Sequence, residues 1–235
     1  MMRLNDDLTV RTAVHAGGMV WVPSPSPGVD RRMLSRIGDE KARATSIVRY
    51  AAGSRFPTHG HPGGEEFLVL DGVFQDETGD FPAGTYVRNP PGSGHAPGSA
   101  PGCVIFVKLW QFRADDQARV VLQPGEGEAR PTRPGVERAL SLFADGYEAG
   151  GREAGGREEV RLEDWRPDAE VRVANPQGLE LLVVAGGFIE KGEAFHPQSW
   201  LRLPAGRDLV VHTGGQGARV WLKAGPLLHP DVCAF

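Results

Sequence analysis

The two halves of this 235-residue chain carry the same motifs in the same order. Pro27-Gly28-Val29-Asp30-Arg31 is echoed by Pro134-Gly135-Val136-Glu137-Arg138, and each is followed by a Leu-Ser pair, Leu34-Ser35 and Leu140-Ser141. Phe67-Leu68-Val69-Leu70-Asp71-Gly72-Val73-Phe74 matches Leu181-Leu182-Val183-Val184-Ala185-Gly186-Gly187-Phe188. Pro90-Pro91-Gly92 then matches Pro204-Ala205-Gly206, each 18 residues beyond the preceding glycine. Val104 to Lys108 resembles Arg219 to Lys223. Such ordered self-similarity marks a duplicated domain. The halves meet between Asp115 and Pro134, where Gln123-Pro124-Gly125-Glu126-Gly127-Glu128 reads as a linker. The division expected is residues 1–115 and 116–235.

Within each half the hydrophobic period is two. Ala44 to Tyr50, Phe67 to Leu70, Thr85 to Arg88 and Cys103 to Leu109 are short β-rich runs separated by Gly/Pro turns. The 32 glycines and 19 prolines disfavour long helices and suit many short strands, which implies a sandwich or small barrel. A net charge of -4 disfavours a nucleic-acid binder working through a basic surface. No apolar run approaches the roughly 20 residues of a membrane span, and Met1 to Val14 lacks a signal-peptide core, so a cytoplasmic protein is expected. Cys103 and Cys233 form neither a disulfide framework nor a CxxC module. The Gly150–Arg157 stretch lacks the Lys-Ser/Thr of a phosphate loop and reads as a surface turn.

The chemistry concentrates in the first half, at His59-Gly60-His61, Glu65 and His95. Residues i and i+2 of a strand share a face, so His59 and His61 can turn into one interior. Glu65 follows a Pro62-Gly63-Gly64 turn, and His95 arrives from a later strand. Three imidazoles and a carboxylate suit a borderline divalent metal such as zinc, iron, manganese, cobalt or nickel.

These spacings resemble the two motifs of the cupin superfamily. Gly53, His59, His61, Glu65 and Gly72 meet every interval of the first. Gly84, Pro90, Gly92 and His95 meet the second, with Ser99 where asparagine is usual, a structural position and not a ligand. The run Glu65 to Phe74, followed by Phe81 to Gly92, is similar to the cupin-like domain of ChrR-type anti-sigma factors over roughly residues 20 to 112. The resemblance implies an all-β chain of two tandem cupin barrels (double-stranded β-helix, or jelly roll). It also implies one zinc held by His59, His61, Glu65 and His95. The separate helical anti-sigma domain of that family has no counterpart here, so anti-sigma activity does not carry over. Dioxygenases that cleave β-diketones and acetophenones resemble this half more loosely.

Two functional classes follow. One is a sensor or regulatory cupin with a closed four-ligand zinc; the other is a metal-dependent dioxygenase acting on a small diketone or hydroxyketone. A small-molecule ligand at the metal and a homodimer covering an open sheet edge are expected partners, with no nucleic acid and no membrane. Glu66 should face away from the metal, as a surface or salt-bridge residue. Phe67, Tyr86 and Phe106 read as core, with contact to the metal cavity the lesser alternative. Cys103 reads as a buried small hydrophobe, Cys233 as a free thiol, and His15, His196, His212 and His229 as surface or packing residues. Aligning the repeats puts Val173, Asn175, Leu179 and Leu209 opposite the four ligand positions, so the second half should be a metal-free scaffold.

Overall fold

The computed structural model describes residues 1–39, 41–145 and 158–228. The Gly150–Arg157 turn, His229 and Cys233 lie outside the described residues. Among those described there is no α-helix, only a 3-10 turn at Ala16–Gly18; the rest is strand and connection. The chain is an all-β protein of two cupin barrels.

Two compact units are formed, Met1–Asp6 with Met19–Glu126 and Asp7–Gly18 with Gly127–Leu227. The main sheet of the first runs Arg3–Leu4, Val29–Gly38, Ala42–Tyr50, Cys103–Leu109, Glu65–Asp76, Tyr86–Asn89 and Val120–Leu122, with every pairing antiparallel. Strand Glu65–Asp76 is long enough to serve two layers. Its first half pairs in the main sheet, and its second half pairs with Gly79–Pro82 and touches Gly98. Alternating residues of these strands close a core of Val48, Phe67, Val69, Phe74, Phe81, Val87, Cys103, Ile105 and Val107. Cys103 is buried within it, and burial pushes its thiol up to about 11, as befits an inert apolar side chain.

The second unit repeats the order: Ala129–Arg130, Val136–Ala144, Glu159–Trp165, Leu209–Ala224, Gly178–Glu190, Ser199–Pro204 and Thr12–His15. The correspondence extends to irregularities. Gly72 (φ 70°) and Gly186 (φ 65°) both take the left-handed conformation where the long strand turns from one layer to the other. A Cβ on Gly72 would overlap the Gly102 carbonyl oxygen, and one on Gly186 the Gly217 carbonyl oxygen. Beside each glycine the register slips, between Val104 and Ile105 in one unit and between Val183 and Ala185 in the other.

The units differ from the expected division at residue 115 in two places. Val120–Leu122 pairs with Tyr86–Arg88 and so stays with the first barrel. Thr12–His15 pairs with Arg202 to Ser199 and belongs to the second. Both are edge strands outside the repeated segments, so the self-similarity of the sequence carries no signal for them.

Candidate metal centre

Strands His59–His61 and Ser93–His95 form an antiparallel pair in which His95 stands directly opposite His59. Cross-strand neighbours and i, i+2 neighbours share a face, so all three imidazoles gather on one side of this ribbon. Their ring centroids lie 5.0, 5.3 and 4.9 Å apart. One ring nitrogen from each falls within 4.8 Å of the others, an arrangement that can hold a metal ion. Glu65 opens the next strand after a tight turn, where the His61 carbonyl accepts hydrogen bonds from the amides of Gly64 and Gly92, both at 3.0 Å. A Cβ on Gly63 would overlap the Trp110 ring, and one on Gly64 the Phe112 ring, so this turn admits only glycine. It sets the Glu65 carboxylate 3.5 Å from the Nε2 atoms of both His61 and His95.

The distances fit one shared ion. With metal–ligand bonds of about 2.1 Å, adjacent donors stand about 3.0 Å apart in octahedral and about 3.4 Å apart in tetrahedral coordination. His61 Nε2 and His95 Nε2 are 3.1 Å apart, and the carboxylate distances are 3.5 Å. Ring orientation agrees. The Nδ1 of His59 meets the Pro57 carbonyl at 3.2 Å and that of His95 meets Asp76 Oδ2 at 3.2 Å. A carbonyl or carboxylate oxygen only accepts, so each Nδ1 donates and each Nε2 keeps a free lone pair.

His61, Glu65 and His95 are buried, with 8, 6 and 4% of their surface exposed, while His59 is open to solvent. Burial, reinforced by His59, lowers the His61 imidazole to about 4, leaving it neutral and able to donate its lone pair. Burial also raises Glu65, against the pull of His95 and of the 3.2 Å hydrogen bond from Asn89 Nδ2. A buried carboxylate under this strain is relieved by a cation.

Glu66 points away from the histidines, as expected, and of the two roles expected for it the salt bridge is the one present. It is buried, accepts a hydrogen bond from the Tyr86 hydroxyl at 2.8 Å and lies 3.9 Å from Arg88 Nη1. The register also places Tyr86 and Phe106 beside Leu68, on that same far face, so neither lines the metal site. Phe67 lies in the core between the sheets. An aromatic neighbour of the site is Phe74, whose ring stands 5.7 Å from His95. Ser99 is buried and donates to the Val73 carbonyl at 2.6 Å, consistent with a structural position. His15 contacts Ser199 and Glu193, and His212 lies 3.7 Å from Glu170. Asp76, Asn89 and Phe74 are the contributors that motif spacing misses. Asn89 reaches Glu65 through the strand register, which places the two residues opposite each other across the sheet.

In the second barrel Val173 stands opposite Leu209, as His59 stands opposite His95. Val173, Leu179 and Leu209 all lie in the hydrophobic core. Asn175 is buried and serves the backbone: its Nδ2 donates to the carbonyls of Pro204 (2.9 Å) and Arg207 (3.0 Å), and its Oδ1 accepts from the Gly178 amide (2.7 Å). A cavity of about 480 Å³ in the first unit, lined in part by Arg55, Phe56, Asp76, Glu77, Ala96 and Pro97, borders the support of His95 and not the three-histidine face.

Residues 9–113 match the family described as the ChrR cupin-like domain. No curated protein sequence matches the chain with significance. Among solved structures it is similar to a Nostoc punctiforme protein to which dioxygenase activity has been attributed (13% identity, 97% of this chain and 87% of that one, TM-score 0.70). It is also similar to the pirin YhhW of Escherichia coli in complex with nickel(II) (14% identity, 92% and 100%, TM-score 0.64). A third is the oxalate decarboxylase of Lactobacillus farciminis (10% identity, 91% and 85%, TM-score 0.59). At these identities the likeness concerns the fold. No described helix is long and apolar enough to cross a membrane. The chain has the fold of two tandem cupin barrels, and its first half matches the ChrR cupin-like domain.

Proposed function

We propose that the protein binds one divalent transition-metal ion per chain, through His59, His61 and His95 with Glu65 as the fourth ligand, and that it works as a ChrR-like sensory or regulatory cupin. The observation that carries this reading is the convergence of three ring nitrogens within 4.8 Å, with the Glu65 carboxylate 3.5 Å from two of them. Neutral imidazoles with one carboxylate favour zinc, and they also accept iron, manganese, nickel or cobalt. The match of residues 9–113 to the ChrR cupin-like domain supports the regulatory role. The second barrel, apolar at three of the four corresponding positions, acts as a scaffold. A cytoplasmic location, and homodimerisation through an open sheet edge, belong to the same proposal.

A second reading, a dioxygenase acting on a small diketone or hydroxyketone, is favoured by the exposure of His59 beside two buried histidines. That asymmetry leaves one side of the site approachable from solvent. A bound metal would supply Lewis acidity there and, if redox-active, the capacity to engage dioxygen. The residues of the chain would hold and orient the ion, and burial of His61, Glu65 and His95 would keep water from its inner side. Protein purified without added metal separates the readings. Zinc as the resident ion, with no oxygen uptake on addition of acetylacetone or a hydroxyketone, supports the regulatory reading; resident iron with oxygen consumption overturns it in favour of the enzyme.

A further inference from the structure

The hairpin that follows strand Glu65–Asp76 turns back on the strand end that carries His95. Asp76 ends the long strand, with its side chain only 8% exposed. Its two oxygens are divided between two tasks. Oδ1 accepts from the Thr78 amide at 2.7 Å and from the Thr78 hydroxyl at 2.6 Å, which closes the turn. Oδ2 accepts from His95 Nδ1 at 3.2 Å. The next residue acts on the backbone of the same segment, as Glu77 accepts from the Ala96 amide at 2.8 Å. Two consecutive carboxylates thus grip one short segment, one on a side chain and one on the chain itself. Phe74, two residues back and on the same side of the strand, lies against the His95 ring.

We infer that Asp76 is a positioning residue for the metal centre, one that fixes His95 as the Nδ1–H tautomer and presents its Nε2 to the ion. This rests on the proposed metal-binding reading. A neutral imidazole carries its proton on either nitrogen, and only the tautomer protonated at Nδ1 has its lone pair on Nε2. The carboxylate selects that form, stops the ring from rotating, and makes Nε2 a stronger donor. His59 has a weaker version of the device in the Pro57 carbonyl. His95 therefore combines the deepest burial of the three histidines with a carboxylate outer partner in Asp76.

The experiment uses the full chain, stripped of metal, in four forms: parent, Asp76→Ala, Asp76→Asn and Thr78→Val. Cobalt(II) affinity is read from visible absorption, and the His95 tautomer from two-bond proton–nitrogen NMR correlations of the metal-free protein. The parent should show His95 protonated at Nδ1. Asp76→Ala should bind cobalt about 10- to 100-fold more weakly and lose that tautomer preference. Asp76→Asn keeps the shape and loses the charge, so it should fall between; it decides the matter if Asp76→Ala does not fold. Thr78→Val cuts a turn hydrogen bond and leaves the His95 contact, so its affinity should match the parent. Parent-like affinity in both Asp76 variants, or a Thr78→Val loss as large as that of Asp76→Ala, overturns the inference. Failure of the parent itself to bind cobalt overturns the metal-binding reading; the tautomer measurement then stands alone, and a His95 protonated at Nε2 overturns the role of Asp76.

Discussion

His61 and His95 face each other with their Nε2 atoms 3.1 Å apart. Two lone pairs at that distance repel unless a proton or a cation lies between them; with the His95 proton engaged at Nδ1 by Asp76, either the proton of His61 or a metal ion fills the gap. A shared metal ion resolves the contact and uses the Glu65 carboxylate, which is 3.5 Å from each nitrogen. His61→Ala and His95→Ala should each weaken zinc binding by more than the roughly 10- to 100-fold typical of losing an outer partner. Asn89→Ala, which removes only the 3.2 Å hydrogen bond to Glu65, should fall within that smaller range. A competition titration checks the order; either histidine variant binding within tenfold of the parent would contradict it.

The pH dependence of the metal-free protein follows from the same burial. His61 is held at about 4, against 6.5 for an unperturbed imidazole. Below pH 6.5 the unfolded chain takes up a proton that the folded chain refuses, so this residue removes stability as pH falls, with its full effect reached near pH 4. A gap of that size corresponds to about 3 kcal/mol. Glu65 acts in the opposite sense. Its pKa is raised in the fold, so its contribution is present in acid and lost as pH rises through the folded value. Chemical denaturation at pH 4.5 and 6.5 with a chelator present separates the two. The parent should lose more stability on acidification than His61→Gln; equal losses would show that His61 is not held neutral by the fold.

The matching glycines allow a paired test of the duplication. Gly72→Ala and Gly186→Ala each force a Cβ onto a neighbouring carbonyl at a positive φ. Each should cost about 2–4 kcal/mol, from backbone strain together with steric overlap. Thermal or urea unfolding measures the loss, and a neutral result at either position would mean that the layer change does not need glycine there.

The gathering of the three histidines and the barrel type were legible because both depend on local spacing. His59 and His61 share a face through the two-residue period, Gly63-Gly64 makes the turn, and the paired motifs around Gly72 and Gly186 expose the duplication. What the sequence hides is set by register between distant strands. Tyr86 falls on the face away from the three histidines because it pairs with Leu68, and Glu66 is buried because Tyr86 and Arg88 are brought against it. Asp76 reaches His95 only through the hairpin, and Thr12–His15 joins the second barrel by an edge pairing that no repeat marks.

In the second barrel, Leu209 occupies the position of His95 and is fully buried. Leu209→Ala should destabilise the protein by about 2–5 kcal/mol, as core truncations do, and leave the metal content unchanged. Unfolding curves with parallel metal analysis check both halves of this statement; a loss of bound metal in folded Leu209→Ala protein would show that the second barrel contributes to the site.

The most direct measurement is calorimetric titration of zinc into metal-stripped protein, repeated with the His59→Ala/His61→Ala variant. A single site per chain in the parent, and none in the variant, is the expected result. A stoichiometry near two, or binding that survives the double substitution, would contradict a metal centre built on His59, His61, Glu65 and His95.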